Sequence, residues 1–277
     1  MKRAPRLAAG RARALGLPTR GTTNPNRLRR MDRWLVDTQP LPPSALVVDL
    51  GYGSSPVTTV ELYGRLRARR PDVRVVGLEL DAERVAAAAD AAAPPGLTFR
   101  RGGFELAGLR PAVVRAANVL RQYDEAAAAD AWRTLGRGLA PGGLLIDGTC
   151  DELGRIGGWV ALGPEGPRTL TFAVRVASLD RPSTLAERLP KALIHRNVPG
   201  ERVHALLVAF DAAWDAAAPM APFGPRQRWV AAVQGLAAEG WPVLDGVRRW
   251  RLGELTLPWE SVAPLAELDA DQARLGD

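Results

Sequence analysis

The chain has 277 residues, of which 47% are hydrophobic and 24% are charged, which is typical of a globular protein with a sizeable buried core. Its one cysteine excludes an internal disulfide and a cysteine-cluster metal site, and no metal site is predicted. No apolar run reaches the roughly 18 residues of a membrane span and no secretory segment is evident, so we expect a cytoplasmic protein without membrane contact.

The net charge of +7 is concentrated at the N-terminus. Residues 1–30 contain nine basic and no acidic side chains, so the rest of the chain carries a net charge of −2. Glycine and proline interrupt residues 1–22, which we predict to be a flexible basic tail. Such a tail is either a solvated leader or an arm that contacts RNA phosphates. It has no aromatic residue before Trp34 to stack on bases.

A helix is predicted next, with Asn26 as its N-cap and with Leu28, Met31 and Leu35 at helical spacing. The chain then alternates between apolar, strand-like runs and helix-like segments. Predicted strands cover 45–50, 73–80, 97–101, part of 111–120, and 144–149. Predicted helices cover 57–70, with Val60, Tyr63 and Leu66 facing inward, 82–93, with Asp81 as its cap, and 124–139. This alternation predicts a doubly wound, Rossmann-like α/β sheet.

The alternation stops after Cys150. Residues 159–162 and 170–176 predict an antiparallel hairpin with one apolar face, because apolar and other residues alternate in the second run. Helices follow at 183–194, interrupted by Pro190, and at 201–217 and 225–238, and 247–257 has strand character. We therefore predict a Rossmann-like domain over 23–180 and a helical C-terminal extension over 181–277, packed on the same domain.

A glycine-rich turn follows the first predicted strand. It reads Asp49-Leu50-Gly51-Tyr52-Gly53-Ser54-Ser55 and leads into Pro56, which suits the first turn of a helix. Glycines remove the Cβ atoms that would collide with a ligand, and doubly wound folds bind nucleotide-like ligands at this turn. A dinucleotide pattern needs a third glycine where Pro56 stands, and Asp49 would repel a pyrophosphate. Both points disfavour a nicotinamide oxidoreductase.

The Asp-x-Gly-x-Gly-x-Ser pattern resembles motif I of the class I S-adenosylmethionine-dependent methyltransferases, with Ser55 in place of a last glycine. The resemblance covers about residues 45–150 and implies a methyltransferase sheet with S-adenosylmethionine as its cofactor. Asp49 would hold the ammonium of the methionine end, directly or through water. The implied cofactor-binding residues in this turn are Asp49, Gly51, Tyr52 and Gly53.

Three further segments bear on this resemblance. Residues 75–81 resemble motif II, which implies that Glu79 takes both ribose hydroxyls and that Leu80 lies beside the cofactor. In residues 97–104, Gly103 stands where the family usually has an Asp that contacts the adenine amine. Backbone groups of Gly103 and Phe104, with the Phe104 ring, would then contact the adenine.

Residues 116–123 lack the Pro-Pro motif that is usual in methyltransferases acting on base amino groups. They resemble instead the small-molecule and general branch of the methyltransferase family. The candidates to line the site there are Asn118, Arg121 and Tyr123, and each has packing or strand capping as its alternative.

The resemblance predicts an S-adenosylmethionine-dependent methyltransferase with an unidentified acceptor, a small molecule being favoured over RNA. The alternative is a catalytically inactive relative that binds cofactor or a partner, suggested by Ser55 and Gly103. His195, in a loop of the C-terminal region, and Tyr123 are the candidates for catalysis, since a histidine titrates near neutral pH. His204 lies on an apolar helix and is interpreted as a core residue. A helix before the first strand closes over the cofactor in many class I enzymes, and Asn26, Arg27 and Arg30 are candidates for that contact.

Overall fold

The structure is a computed structural model that describes residues 23–265. The predicted tail at 1–22, with its RNA contact, lies outside the described residues. The chain forms two compact units. One unit runs to Gly148 and includes Gly163–Gly166, and the other contains Thr149–Leu162 and the chain from Pro167 onward. This boundary does not coincide with the division expected between residues 180 and 181.

The first unit alternates strands and helices in the predicted order. Its elements are α1 (Arg29–Thr38), β1 (Leu46–Leu50), α2 (Val57–Arg67), β2 (Arg74–Glu79), α3 (Ala82–Ala87), β3 (Leu97–Arg101), β4 (Val113–Ala117), α4 (Glu125–Gly138) and most of β5 (Leu144–Cys150). Strands β3, β2, β1, β4 and β5 pair in parallel in that order. The doubly wound α/β fold predicted from the sequence is confirmed.

The strand order places a topological switch point between β1 and β4. The chain moves from β1 outward to β2 and β3, and it then returns to the other side of β1 to form β4. The connections on the two sides therefore diverge, and a crevice opens at the carboxyl ends of the strands. Doubly wound folds bind their ligands in such a crevice.

Local chemistry explains several element boundaries. Asp81 caps α3 as predicted, because its carboxylate accepts hydrogen bonds from the backbone N–H groups of Glu83 and Arg84. Asp124 caps α4 in the same way, through the N–H of Ala127. Apolar residues fill both faces of the central strands, which is the burial expected of a parallel sheet covered by helices.

Two expectations for the first unit were wrong in detail. Asn26 does not cap α1; it has a left-handed backbone (φ 59°), and the helix begins three residues later at Arg29. Its side-chain oxygen instead accepts a hydrogen bond from Arg65 on α2. Val60 was expected to face the core but is 38% exposed, because Leu62 and Leu66 form the buried stripe of α2.

The second unit contributes most of β6 (Ile156–Gly163) and of β7 (Gly166–Val174), which are neighbours in the sheet, and β8 (Glu254–Pro258), which is antiparallel to β7. Its helices are α5 (Lys191–Ile194), α6 (Arg202–Ala216), α7 (Pro225–Ala238) and α8 (Val247–Trp250). Within residues 23–265, no helix is both long and apolar enough to cross a membrane.

Two predictions for the second unit need correction. The strand expected over 247–257 begins only at Glu254, because the preceding residues form α8. The one-sided face expected of β7 is absent, since residues 170–174 are all buried. Thr171 tolerates this burial because its hydroxyl hydrogen-bonds that of Thr256 on β8 at 3.1 Å. Pro190 does interrupt the helix predicted around it, since α5 begins only at the following residue.

Candidate functional site

A pocket of about 230 Å³ opens at the carboxyl ends of the parallel strands, at the switch point between β1 and β4. Its lining follows the strand ends in turn: Leu50, Gly51, Glu79, Leu80, residues 102–105, Val119 and Tyr123. All of these residues belong to the first unit. The pocket therefore occupies the position at which this architecture binds ligands.

Glu79 is the most buried acid in this lining, with a relative exposure of 2%. One carboxylate oxygen accepts a hydrogen bond from the N–H of Gly53 at 3.0 Å, and the other accepts from the N–H of Leu80 at 2.9 Å. Arg84 lies 3.9 Å away and partly balances the charge. The glycine-rich turn thus holds the carboxylate of the neighbouring strand in a fixed orientation at the edge of the pocket.

The turn needs glycine at two positions. Gly51 and Gly53 have φ angles of 68° and 87°, a backbone conformation that side chains disfavour. Gly51 donates its N–H to the carbonyl of Leu78 on β2 at 2.7 Å. Its lack of a side chain leaves the backbone exposed to the pocket, so a ligand can approach it closely.

The segment after β3 supplies a second acid and an aromatic ring. Glu105 accepts a hydrogen bond from the N–H of Gly103 at 2.7 Å, so its side chain folds back over the preceding backbone. The ring of Phe104 lies 5.4 Å from that of Tyr123, centre to centre, at an angle of 50°. The pocket therefore combines two carboxylates with aromatic and aliphatic walls.

Asp49 lies outside this lining and has other partners. It is 2% exposed, and its carboxylate accepts two hydrogen bonds from the Arg115 guanidinium at 2.9 and 2.7 Å. A third comes from the hydroxyl of Thr59 at 2.6 Å. The strands make this pairing possible, because Asp49 and Arg115 stand opposite each other on β1 and β4. Asp49 is thus an internal partner of a buried arginine, and its predicted contact with the ammonium of the methionine end stays a prediction.

The same arginine binds a second buried acid, Asp32 of α1, which also receives Arg65 of α2 at 2.5 Å. Burial lowers the pKa of Arg115, but the charges of Asp32 and Asp49 outweigh it, so the net shift is upward and the guanidinium stays charged. Burial raises the pKa of Asp32 despite both arginines. This network ties α1, α2, β1 and β4 together beneath the glycine-rich turn.

Of the nine residues predicted to bind the cofactor, five line the pocket: Gly51, Glu79, Leu80, Gly103 and Phe104. Asp49, Tyr52, Gly53 and Asn118 do not line it.

Tyr52 is buried, packs edge-on against Phe99 and donates its hydroxyl to the carbonyl of Arg84. Burial and the charge of Glu79 raise the pKa of Tyr52 to about 12, so its phenol stays neutral. Asn118 has a left-handed backbone and donates its N–H to Gly148.

The residues considered for catalysis lie in different units. Tyr123 lines the pocket, whereas its neighbour Arg121 does not. His195 is exposed in the second unit, where a ring nitrogen lies 3.4 Å from the Lys191 amine. His204 was interpreted as a core residue but is only half-buried, and its ring hydrogen-bonds Asn197 at 3.2 Å. Across the described part of the chain, no group of three histidine, cysteine or acidic side chains could hold a metal ion.

Sequence patterns alone did not identify three charged residues in and around the pocket: Glu105, Asp32 and Arg115. Two of them left a signal. Arg115 interrupts the apolar run Val113-Val114-Arg115-Ala116 of a buried strand, and a buried arginine needs a buried acid. Asp32 lies four residues after Leu28, within the apolar stripe of α1. A charge on a face that is otherwise apolar points to an internal ion pair.

Comparison with known proteins gives partial structural similarity. No family model matches the sequence, and no curated protein sequence matches it. One similar solved structure is an O-methyltransferase family 2 protein from Planctomyces limnophilus in complex with apigenin (19% identity, 47% of this chain, 40% of that chain, TM-score 0.37). Another is magnesium protoporphyrin IX methyltransferase from Synechocystis with bound S-adenosylmethionine (21% identity, 45% and 58%, TM-score 0.36). A third is a TehB-like methyltransferase from Corynebacterium glutamicum (18% identity, 52% and 70%, TM-score 0.34).

The match spans about half the length of the first two of these structures. All three proteins are methyltransferases, but with TM-scores below 0.5 the similarity carries no argument about function. The fold stands on its own strand order, and the function has to be argued from the pocket.

Proposed function

We propose that the pocket binds S-adenosylmethionine and that the protein is an S-adenosylmethionine-dependent methyltransferase. The observation that carries this proposal is Glu79, a buried carboxylate that the glycine-rich turn orients at the switch point of the sheet. The Gly53 and Leu80 amides fix the orientation of this carboxylate, and a carboxylate accepts hydrogen bonds from two adjacent hydroxyls through its two oxygens. A ribose diol presents such a pair.

The charge of the pocket supports the same ligand. Glu79 and Glu105 both line it, and a phosphate beside two carboxylates would be repelled. This disfavours NAD, whose pyrophosphate would have to lie near the turn. S-adenosylmethionine has no phosphate and carries positive charge, so its chemistry suits an acidic pocket.

The walls of the pocket suit a flat base. Leu80 and Phe104 give an apolar surface between the two acids, and Tyr123 lies beside the Phe104 ring. In this proposal Glu79 orients the ribose, Gly51 lets the ligand approach the backbone, and the apolar walls exclude water. The cofactor, when bound, supplies an electrophilic methyl group on its sulfonium.

In this proposal Asp49 holds the glycine-rich turn in position and does not itself contact the cofactor. Its bonds to Arg115 and Thr59 fix the end of β1, from which the glycine-rich turn starts. The three hydrogen bonds also spread its charge over internal partners. We therefore assign Asp49 to the support of the turn, and we do not assign it to the ammonium of the methionine end.

For the acceptor, we propose a small molecule. The chain after residue 30 has a net charge of −2, and the pocket is acidic, so neither offers the basic surface that RNA binding needs. Tyr123 is the proposed acceptor-side contact, supported by its place in the lining. RNA binding compared between the whole chain and a chain starting at Thr22 tests the alternative, because an RNA acceptor held by the basic tail predicts a large loss.

The test of cofactor binding is a calorimetric titration with S-adenosylhomocysteine and with NAD. We expect binding of the first and none of the second. The reverse result, or no binding of S-adenosylhomocysteine, would refute the proposal. Transfer of a labelled methyl group from S-adenosylmethionine to a panel of small metabolites then separates an active enzyme from an inactive relative that only binds the cofactor.

A further inference from the structure

The acid that precedes the glycine-rich turn is bound on both of its oxygens. One carboxylate oxygen of Asp49 accepts a hydrogen bond from Nε of Arg115 at 2.9 Å, and the other accepts from Nη2 at 2.7 Å. The second oxygen also accepts from the Thr59 hydroxyl at 2.6 Å. Asp49 is 2% exposed and Arg115 is fully buried, so this bidentate pair lies out of water. A charge-assisted pair of this geometry holds its carboxylate in one orientation.

The fold holds the guanidinium of this pair from its other side as well. Asp49 and Arg115 are register partners on β1 and β4. Arg115 also donates to the carbonyl of Thr58 at 3.0 Å and forms an ion pair with Asp32. Because Arg65 is bound to Asp32 too, two acids face two arginines, and the formal charges of the network cancel. The network therefore presents no net negative charge to a ligand at the turn.

This arrangement bears on the amino-acid end of the proposed cofactor. We infer that Arg115 makes the pocket insensitive to the ammonium of that end, because it occupies the carboxylate with which the turn would bind the ammonium. The inference rests on the proposed function, which places the ligand at this turn with its ribose on Glu79. An ammonium that reached Asp49 would lie beside a guanidinium of the same charge, and it would have to leave water to do so. Both effects oppose the contact.

The consequence is a ligand class that is wider than S-adenosylmethionine and its demethylated product. In the proposed function the contacts of the pocket go to the nucleoside half of the ligand, with Glu79 at the ribose and with Leu80 and Phe104 as apolar walls. We therefore expect 5′-thioether adenosines to bind with or without the amine. A hydrogen bond between an ammonium and a free carboxylate changes affinity by about tenfold or more, so its loss is measurable.

Calorimetry with two ligands that differ only in the amine tests the inference. The ligands are S-adenosylhomocysteine and its deamino analogue, 5′-deoxy-5′-(3-carboxypropylthio)adenosine. We expect wild-type affinities within about threefold of each other, and the same ratio in Asp49→Asn, whose amide oxygen still accepts from Arg115. In Arg115→Gln the Asp49 carboxylate loses its guanidinium, and we expect the ratio to rise to about tenfold in favour of the amine. A loosened turn would weaken both ligands alike and would leave the ratio unchanged.

Matched controls are Asp130→Asn, an exposed acid on α4, and Arg100→Gln, an exposed arginine on β3. Neither should change the ratio. A wild-type preference of about tenfold or more for the amine would refute the inference and leave the proposed function standing. A folded Arg115→Gln variant that gains no preference would do the same. If Arg115→Gln does not fold, the wild-type and Asp49→Asn ratios decide. If the wild-type protein binds neither compound, the inference and the proposed function are both refuted.

Discussion

Asp147 on β5 is a buried carboxyl whose titration should control the stability of the protein near neutral pH. It is 1% exposed, and its carboxylate accepts a hydrogen bond from the indole N–H of Trp132 on α4 at 2.9 Å. Burial raises the pKa of Asp147 from 3.8 to about 7, and the bond from Trp132 lowers it only in part. The native state therefore favours the protonated form, which is the opposite of a salt-bridged acid.

The size of the effect follows from this shift. Between pH 4 and 7 the native state binds the proton and the unfolded chain releases it, so stability falls as pH rises. A shift of about three pKa units corresponds to about 4 kcal/mol in full, and the part lost between pH 5 and pH 8 is about 3 kcal/mol. Above pH 8 both states are ionised and the loss is complete.

The test is urea denaturation of the wild-type protein and of Asp147→Asn at pH 5 and pH 8. Asparagine keeps an acceptor for Trp132 but carries no titrating charge. We expect the stability difference between variant and wild type to shift by about 3 kcal/mol in favour of the variant from pH 5 to pH 8. The control is Asp130→Asn, an exposed acid on α4, which should show no such shift. A variant with the same pH dependence as the wild type would refute the reasoning.

Two other substitutions test the buried residues that support the site. Arg115→Met leaves Asp32 and Asp49 buried without their shared cation, so we expect a loss of about 3–5 kcal/mol in urea denaturation at pH 7. The loss should be smaller at pH 5, because burial raises the pKa of Asp32 and the variant removes an arginine that opposes this rise. Equal losses at both pH values would contradict that account. Gly77→Ala on β2 brings a Cβ to within 2.6 Å of the Phe99 ring, and overpacking of this kind should cost about 1–3 kcal/mol by the same assay. An unchanged stability would show that the sheet has room there.

Much of the first unit could be predicted from sequence because its information is local. Apolar runs of strand length alternate with helical segments, and the glycine-rich turn and the Asp81 cap are contiguous patterns. Glu79 could be found for the same reason, since it ends a buried strand in a sheet whose carboxyl edge carries the ligand site. Five of the predicted binding residues therefore reach the pocket lining.

The rest depends on pairings between distant segments. Asp49 and Arg115 are 66 residues apart, and only the strand register brings them together. In the sequence alone, where that register is not known, Asp49 has the pattern of a ligand-binding carboxylate. Glu105 was missed for a different reason, because only the folded backbone shows that its side chain turns back to accept the N–H of Gly103. The strand predicted over 247–257 was wrong up to residue 253, because the four residues of α8 carry too little pattern to distinguish helix from strand.

The most direct test of the central claim is the affinity of Glu79→Gln for S-adenosylhomocysteine, measured by calorimetry beside the wild type and Glu83→Gln. Glutamine is nearly the same size and keeps one acceptor, but it removes the charge to which the ribose hydroxyls would donate. We expect binding at least about tenfold weaker in Glu79→Gln and unchanged in Glu83→Gln. Wild-type affinity in a folded Glu79→Gln variant would contradict the assignment of this pocket.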